Sequence, residues 1–331
     1  MKKLIAAAVA SSMTAFAMAD ISITGDAKYE YDLTDNGGTK TTTANTEAHL
    51  NFTGKSGDTT FVAKFEMADS STGAMDLEDS YITTSVAGVG IKAGNYAGST
   101  SGLAGEIENG SRSHGKVTLS YKLGDVSLYA GNGGNSSAGS DVGVNNNMFA
   151  GASTTVAGQT IHIKKASDTR DNFGISGNVG GVSYRYENID QSTTSTYTAG
   201  EADYIELSGS MNGITVQYAK LDADNYTLLE ENDSAVFALE AGLAAYSDAD
   251  GAQVKEQDQI AVSTTVDGTK VTVKSGTLKD GISAGVDVDY TQVGLSRKLA
   301  SGATAVITYT DNDASATTSK ENLEIELNVA F

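Results

Sequence analysis

The sequence predicts an all-β fold, a transmembrane antiparallel β-barrel, and three observations carry the prediction. Apolar and polar residues alternate with period two over long stretches. Tight and long connections follow one another along the chain. Past residue 19, no apolar run approaches the ~20 residues that a membrane-spanning helix needs. Composition removes competing classes. The 331 residues include 37 Gly and 15 Tyr but no Pro, Cys or Trp, and the formal net charge is −20. Without Pro, no strand ladder loses a donor. Without Cys there is no disulfide framework, thiolate metal site or thiol nucleophile. The acidic balance excludes a nucleic-acid partner, because phosphates would be repelled. Three histidines, His49, His114 and His162, are too few for a His-rich metal site. The apolar fraction of 39% lies below the roughly 45–50% of globular chains, as a wet interior requires.

The elements follow in order. Lys2 and Lys3, an apolar stretch from Leu4 to Phe16, and Ala17-Met18-Ala19 have the form of a cleaved secretory signal peptide. Residues 1–19 are therefore expected to be removed, leaving 20–331 as one barrel domain with no linker. The first strand, from Ile21 to Leu33, has every odd position apolar or Gly and every even position polar. Ten residues separate Ile21 from Tyr31; at ~3.3 Å per residue and ~45° tilt they cover about 23 Å of membrane normal, close to the ~25 Å apolar band of such barrels. Tyr29 and Tyr31 then belong to an aromatic girdle. The same alternation recurs at Ala48/Leu50/Phe52, Phe61/Ala63/Phe65/Met67, Val117/Leu119/Tyr121, Ile161/Ile163, Val182/Tyr184/Tyr186, Ile214/Val216/Tyr218 and Ala305/Ile307/Tyr309. It ends with Leu323, Ile325, Leu327, Val329 and Phe331.

Short turns fall at Gly54–Asp58, Lys122–Asp125, Ala157-Gly158, Gly180-Gly181, Asn212-Gly213, Asp267-Gly268 and Ala300–Gly302. Long connections are expected at Asp35–Thr46, Ala97–His114, Gly131–Asn146, Gln191–Glu201 and after Leu221. Ser234–Ala245 fits either a short helix or an added strand. An open edge is not tolerated in hydrocarbon, so first and last strands must pair. Counting gives sixteen to eighteen strands, an even number, enough for a water-filled lumen.

Four segments carry a family resemblance: DISITGDAKYEY (Asp20–Tyr31), YITTSVAGVGIKAGNYAG (Tyr81–Gly98), VGLSRKLASGATAVITYTDND (Val293–Asp313) and ELNVAF (Glu326–Phe331). The chain resembles a general-diffusion porin of the Gram-negative, proteobacterial outer membrane over essentially all of its mature length. The resemblance implies sixteen strands, a homotrimer, and a third loop folded into the lumen. It implies that Phe331, Val329 and Leu327 form the signal read by the barrel-assembly machinery. It places the constriction on Asn95–His114, with Glu106, Glu108 and Arg112, facing basic wall residues for which Lys28, His49 and Lys64 are candidates. Where that family often carries a lumen arginine, this chain has Glu78. By alternation Asp26, Glu30, Glu47 and Glu66 also point inward.

The expected function is passive diffusion of small hydrophilic solutes and ions across the outer membrane. Inward carboxylates give it a weak cation preference, because low-dielectric walls focus their field. Two alternatives stand beside it: a substrate-specific channel, for which inward aromatics such as Tyr96 and Tyr129 are few, and a secreted or surface structural β-protein. No enzymatic activity is expected; Gly88–Gly94 has the wrong spacing for a dinucleotide loop. No cofactor or resident metal is expected, since Asp248–Gly251 and Asp311–Asp313 lack a full calcium ligand set. Loose Ca2+ or Mg2+ at acidic loops, outer-membrane lipid and lipopolysaccharide complete the expected partners.

Overall fold

The computed structural model describes residues 20–68, 75–97, 112–132, 148–166, 170–192, 200–224, 254–280, 287–313 and 319–331. These form one sheet of eighteen strands. In order they are β1 (Asp20–Asn36), β2 (Lys40–Ser56), β3 (Thr59–Ala68), β4 (Met75–Val86), β5 (Val89–Ala97), β6 (Arg112–Leu123), β7 (Val126–Asn132), β8 (Met148–Val156) and β9 (Gln159–Ala166). They continue as β10 (Arg170–Val179), β11 (Val182–Gln191), β12 (Gly200–Met211), β13 (Ile214–Asp224), β14 (Val254–Val266), β15 (Thr269–Asp280), β16 (Asp287–Lys298), β17 (Thr304–Asp313) and β18 (Ser319–Ala330). Each strand pairs antiparallel with its chain neighbours, and β1 also pairs with β18, so the barrel is closed. Among the described residues no helix is long and apolar enough to cross a membrane.

The strand count is eighteen, not the sixteen implied by the resemblance. The predicted long connection Asp35–Thr46 is likewise corrected: β1 and β2, of 17 residues each, run on to a turn at Gly37, Gly38 and Thr39. A 17-residue strand is about 56 Å long at ~3.3 Å per residue, more than a ~25 Å band demands even at ~45° tilt. These strands therefore project beyond the hydrocarbon. Ser234–Ala245 lies outside the described residues.

Alternation tells the two faces apart, and exposure shows which is which. Ile21, Ile23, Phe61, Leu119, Tyr121, Ile163, Leu207, Val262, Ile307, Ile325 and Leu327 are exposed and lie on the outside. The phase inverts toward the long-connection end of β11–β16. There the inward positions Ile189, Ala202, Tyr204, Leu221 and Val288 are fully buried. The residues between them, Asp190, Glu201, Asp203, Lys220 and Asp222, take the outer face. Above the hydrocarbon the solvent lies outside, and the pattern reverses accordingly.

At the opposite end, tight turns set the register. Ala87-Gly88, Ala157-Gly158, Gly180-Gly181, Asn212-Gly213 and Asp267-Gly268 each carry two consecutive positive φ angles, the requirement of a type I′ hairpin turn. Ala87 and Ala157, both at φ 51°, occupy a region that Asn tolerates better. Ala87→Asn and Ala157→Asn are each expected to stabilise the barrel by about 0.5–1 kcal/mol, read as a higher urea midpoint for unfolding from detergent or lipid.

The β1–β18 seam ends at a residue without a side chain. The Gly25 N–H donates to the Phe331 carbonyl at 2.8 Å, and the Phe331 N–H donates back to the Gly25 carbonyl at 2.8 Å. The Phe331 ring lies over Gly25, where an added Cβ would come within 2.7 Å of it. The same device lines the lumen. Phe149 packs on Gly131, and Tyr290 packs on Gly276 directly across the β15–β16 ladder. Each ring lies over a missing side chain on the neighbouring strand.

Candidate functional site: a two-walled lumen

The first wall is built by β18, β1, β2, β3 and β4. Its inward residues form cross-strand rows. Asp26 faces His49 and His49 faces Glu66; Lys28 faces Glu47; Glu30 faces Glu326; Asp32 faces Glu324. Like charges directly opposite destabilise a ladder unless a cation stands by them. Lys28 Nζ supplies one, 2.7 Å from Glu30 Oε2 and 3.7 Å from Glu47 Oε2. Asn328 Nδ2 donates to Glu326 Oε2 at 3.0 Å.

A register shift between Lys64 and Phe65 leaves Glu78 as the extra residue of a β-bulge opposite them. A bulge turns two successive side chains toward one face. Glu78 and Asp79 can thus share the lumen, and Lys64 Nζ sits 2.5 Å from Glu78 Oε2. Simple alternation counted back from Tyr81 would have sent Glu78 outward.

The second wall, on β4 to β11, is basic and aromatic. Lys92 Nζ lies 4.0 Å from the ring centroid of Tyr81 and 4.0 Å from that of Tyr96. Lys116 Nζ is 5.2 Å from the Tyr96 ring, whose hydroxyl is 2.8 Å from Thr118 Oγ1. Such cation–π contacts contribute about 0.5–2 kcal/mol each and hold an ammonium beside an apolar plate. Further round, Tyr129 stacks on His162 with planes 8° apart, and Lys164 Nζ lies 5.6 Å from the Phe149 ring. On β11 the Arg185 guanidinium reaches Glu206 at 3.4 Å. A second register shift, between Gly94 and Tyr96, brings Tyr96 against the lysines.

The predicted wall residues Asp26, Lys28, Glu30, Glu47, His49, Lys64, Glu66 and Glu78 thus come together on the first wall. Tyr29 and Tyr31 lie on the outer face of β1. Leu327, Val329 and Phe331 lie on the outer face at the barrel seam. Glu106 and Glu108 lie outside the described residues. Arg112, read as part of the constriction loop, is the first residue of β6 and pairs with Ala97. The expectation of few inward aromatics is corrected, since Tyr81, Tyr96, Tyr129, Phe149, Tyr204 and Tyr290 all sit on inward phases. The Lys92–Lys116 pair was missed for the same reason as Tyr81: bulges break the phase on either side of it. One motif bears on the non-enzymatic reading. Gly281-Ile282-Ser283-Ala284-Gly285 has the letters G-x-S-x-G, but it joins two antiparallel strands, β15 and β16, where a nucleophile elbow needs a strand followed by a helix.

A closed eighteen-strand barrel, apolar outside and charged within, has the fold of a Gram-negative outer-membrane porin. Solved structures bear this out at low sequence identity. OccK2 (OpdF) of Pseudomonas aeruginosa, solved in complex with glucuronate, superposes with a TM-score of 0.68 at 10% identity, covering 94% of this chain and 98% of that one. Pseudomonas aeruginosa OpdL gives 0.66 at 11%, covering 94% and 99%. OccD3 (OpdP) of the same organism gives 0.62 at 13%, covering 94% and 91%. No protein-family model and no curated relative matches the sequence.

Proposed function

We propose that this chain is a solute-selective channel of the outer membrane, a narrower reading than general diffusion. The observation that supports it is the basic–aromatic wall, in which Lys92 lies between the Tyr81 and Tyr96 rings with Lys116 beside them. A row of cations on aromatic plates suits a small polyhydroxylated solute bearing a carboxylate: the ring faces stack on its C–H surface and the ammonium groups pair with its charge. Glucuronate, the ligand in the OccK2 structure, has this chemistry. The adjoining acidic wall favours small cations in the background current, so ionic selectivity and solute selectivity reside on different strands.

Liposome swelling tests the reading. Glucuronate is expected to enter faster than glucose of nearly the same size, and Lys92→Gln with Lys116→Gln to remove that advantage while leaving glucose entry unchanged. Equal rates for both sugars in the unmodified channel would return the assignment to general diffusion. Export through residues 1–19 and assembly as a homotrimer belong to the same proposal; an unboiled gel band near three times the monomer mass is the expected result.

A further inference from the structure

We propose that His49, Glu47 and Glu66 form a lumen site for a divalent transition-metal ion of the zinc class. His49 is held between carboxylates on both ring nitrogens. Nδ1 lies 3.0 Å from Asp26 Oδ2, and Nε2 lies 2.7 Å from Glu47 Oε1. A neutral imidazole has one N–H and one lone pair, so it satisfies only one of these contacts and points its lone pair at the other carboxylate. Two positive partners are needed: two protons, or one proton and one metal ion.

The surroundings fit the metal. The donor atoms of Glu47, His49 and Glu66 all lie within 4.8 Å of one another. Glu66 stands directly opposite His49 across the β2–β3 ladder, and Asp26 directly opposite it across β1–β2. With Nδ1–H donated to Asp26, the ring is fixed so that the Nε2 lone pair faces Glu47 and Glu66, the usual carboxylate–histidine–metal arrangement. Binding replaces the Nε2 proton: the Nε2–H bond is lost, Nε2–metal and two carboxylate–metal bonds form, and the proton leaves to water. Three protein ligands leave a fourth tetrahedral position for water. The imidazole donor selects Zn2+ and its neighbours over Mg2+ and Ca2+, which take oxygen ligands. Of the neighbouring ammonium groups, Lys64 is directed to Glu78, and Lys28 lies 2.7 Å from Glu30 and 3.7 Å from Glu47 Oε2, leaving Glu47 Oε1 to the imidazole. A site on the channel wall couples binding to flow, since a held dication obstructs and repels the cations that follow.

Calorimetry of the folded protein in detergent, with Zn2+ and separately with Mg2+ as titrant, tests the site directly, whatever solute the channel carries. One Zn2+ per chain is expected, with no competition from equimolar Mg2+. His49→Gln and Glu66→Gln are each expected to weaken binding at least ten-fold, and Asp26→Asn about ten-fold, the usual cost of an outer-shell partner. Glu324→Gln, in the separate acidic trio with Glu30 and Glu326, is expected to leave Zn2+ affinity unchanged. A heat-shift gel confirms folding of each variant, and the two ligand variants are independent of each other. In planar bilayers Zn2+ is expected to reduce single-channel current, and His49→Gln to restore it. Absence of Zn2+ heat, equal displacement by Mg2+, or unchanged affinity in a folded His49→Gln or Glu66→Gln protein would overturn the proposal.

Discussion

Gly25→Val is expected to abolish barrel closure, read on an unboiled gel as loss of the compact, heat-modifiable form. The side chain has nowhere to go. A Cβ at Gly25 would stand 2.6 Å from the His49 carbonyl oxygen and 2.7 Å from the Phe331 ring. The ring could swing away, but the carbonyl belongs to the β1–β2 ladder and cannot move without opening it. The displaced backbone includes the two 2.8 Å hydrogen bonds between Gly25 and Phe331 that finish the seam. In hydrocarbon an unpaired backbone group costs several kcal/mol, because no water replaces the lost partner. Gly54→Ala is the matched control: its added Cβ meets nothing within 4 Å, and the mobility of the folded form is expected to be unchanged. A normally closed Gly25→Val barrel would show that the seam tolerates a shift of β1.

The second large effect is expected from the acidic wall. Glu324→Gln with Glu326→Gln should lower the cation-to-anion permeability ratio several-fold, measured as a reversal potential moving toward zero in a KCl gradient. Glu326 faces Glu30 and Glu324 faces Asp32, so four carboxylates share one stretch of the β1–β18 ladder. A unit charge at ~4 Å is worth about 1 kcal/mol even at the dielectric constant of water, about a five-fold enrichment of a cation beside it and a similar depletion of an anion. Lys92→Gln on the adjoining basic wall should move the potential the other way. Both shifts should shrink as bulk salt approaches 1 M, where the screening length falls to about 3 Å. An unchanged reversal potential in the double variant would mean that these carboxylates only hydrate the wall.

Most of the first wall was legible in the sequence. One unbroken phase runs through β1 and β2, so that Asp26, Lys28, Glu30, Glu47 and His49 fall on the inner face by parity alone. The second wall was not. Register shifts beside Lys64 and Gly94 reset the phase on both sides of Tyr81 and Lys92, and a bulge leaves no mark that alternation detects. Glu78 was placed inward from the family resemblance, and the bulge supplies the physical reason. The resemblance carried sixteen strands with it, while counting alternating segments reached eighteen; that count stays open by two because β7 has only seven residues and the Ser, Thr and Gly of β8 scarcely alternate in polarity. The reversal of faces on β11–β16 was hidden for another reason: periodicity separates two faces but does not say which solvent each one meets.

The pairing of Asp26 with Ala330 has a kinetic side. The type I′ hairpins join residues close in sequence, and such units form in about 1–10 μs. The seam joins residues at opposite ends of the chain, and contacts of that span form late. Until then the molecule is an open sheet with two bare edges, each a template for another chain. Recovery of active barrels should therefore fall as protein concentration rises during refolding, with the lifetime of the unclosed sheet, not the stability of the finished one, setting the yield.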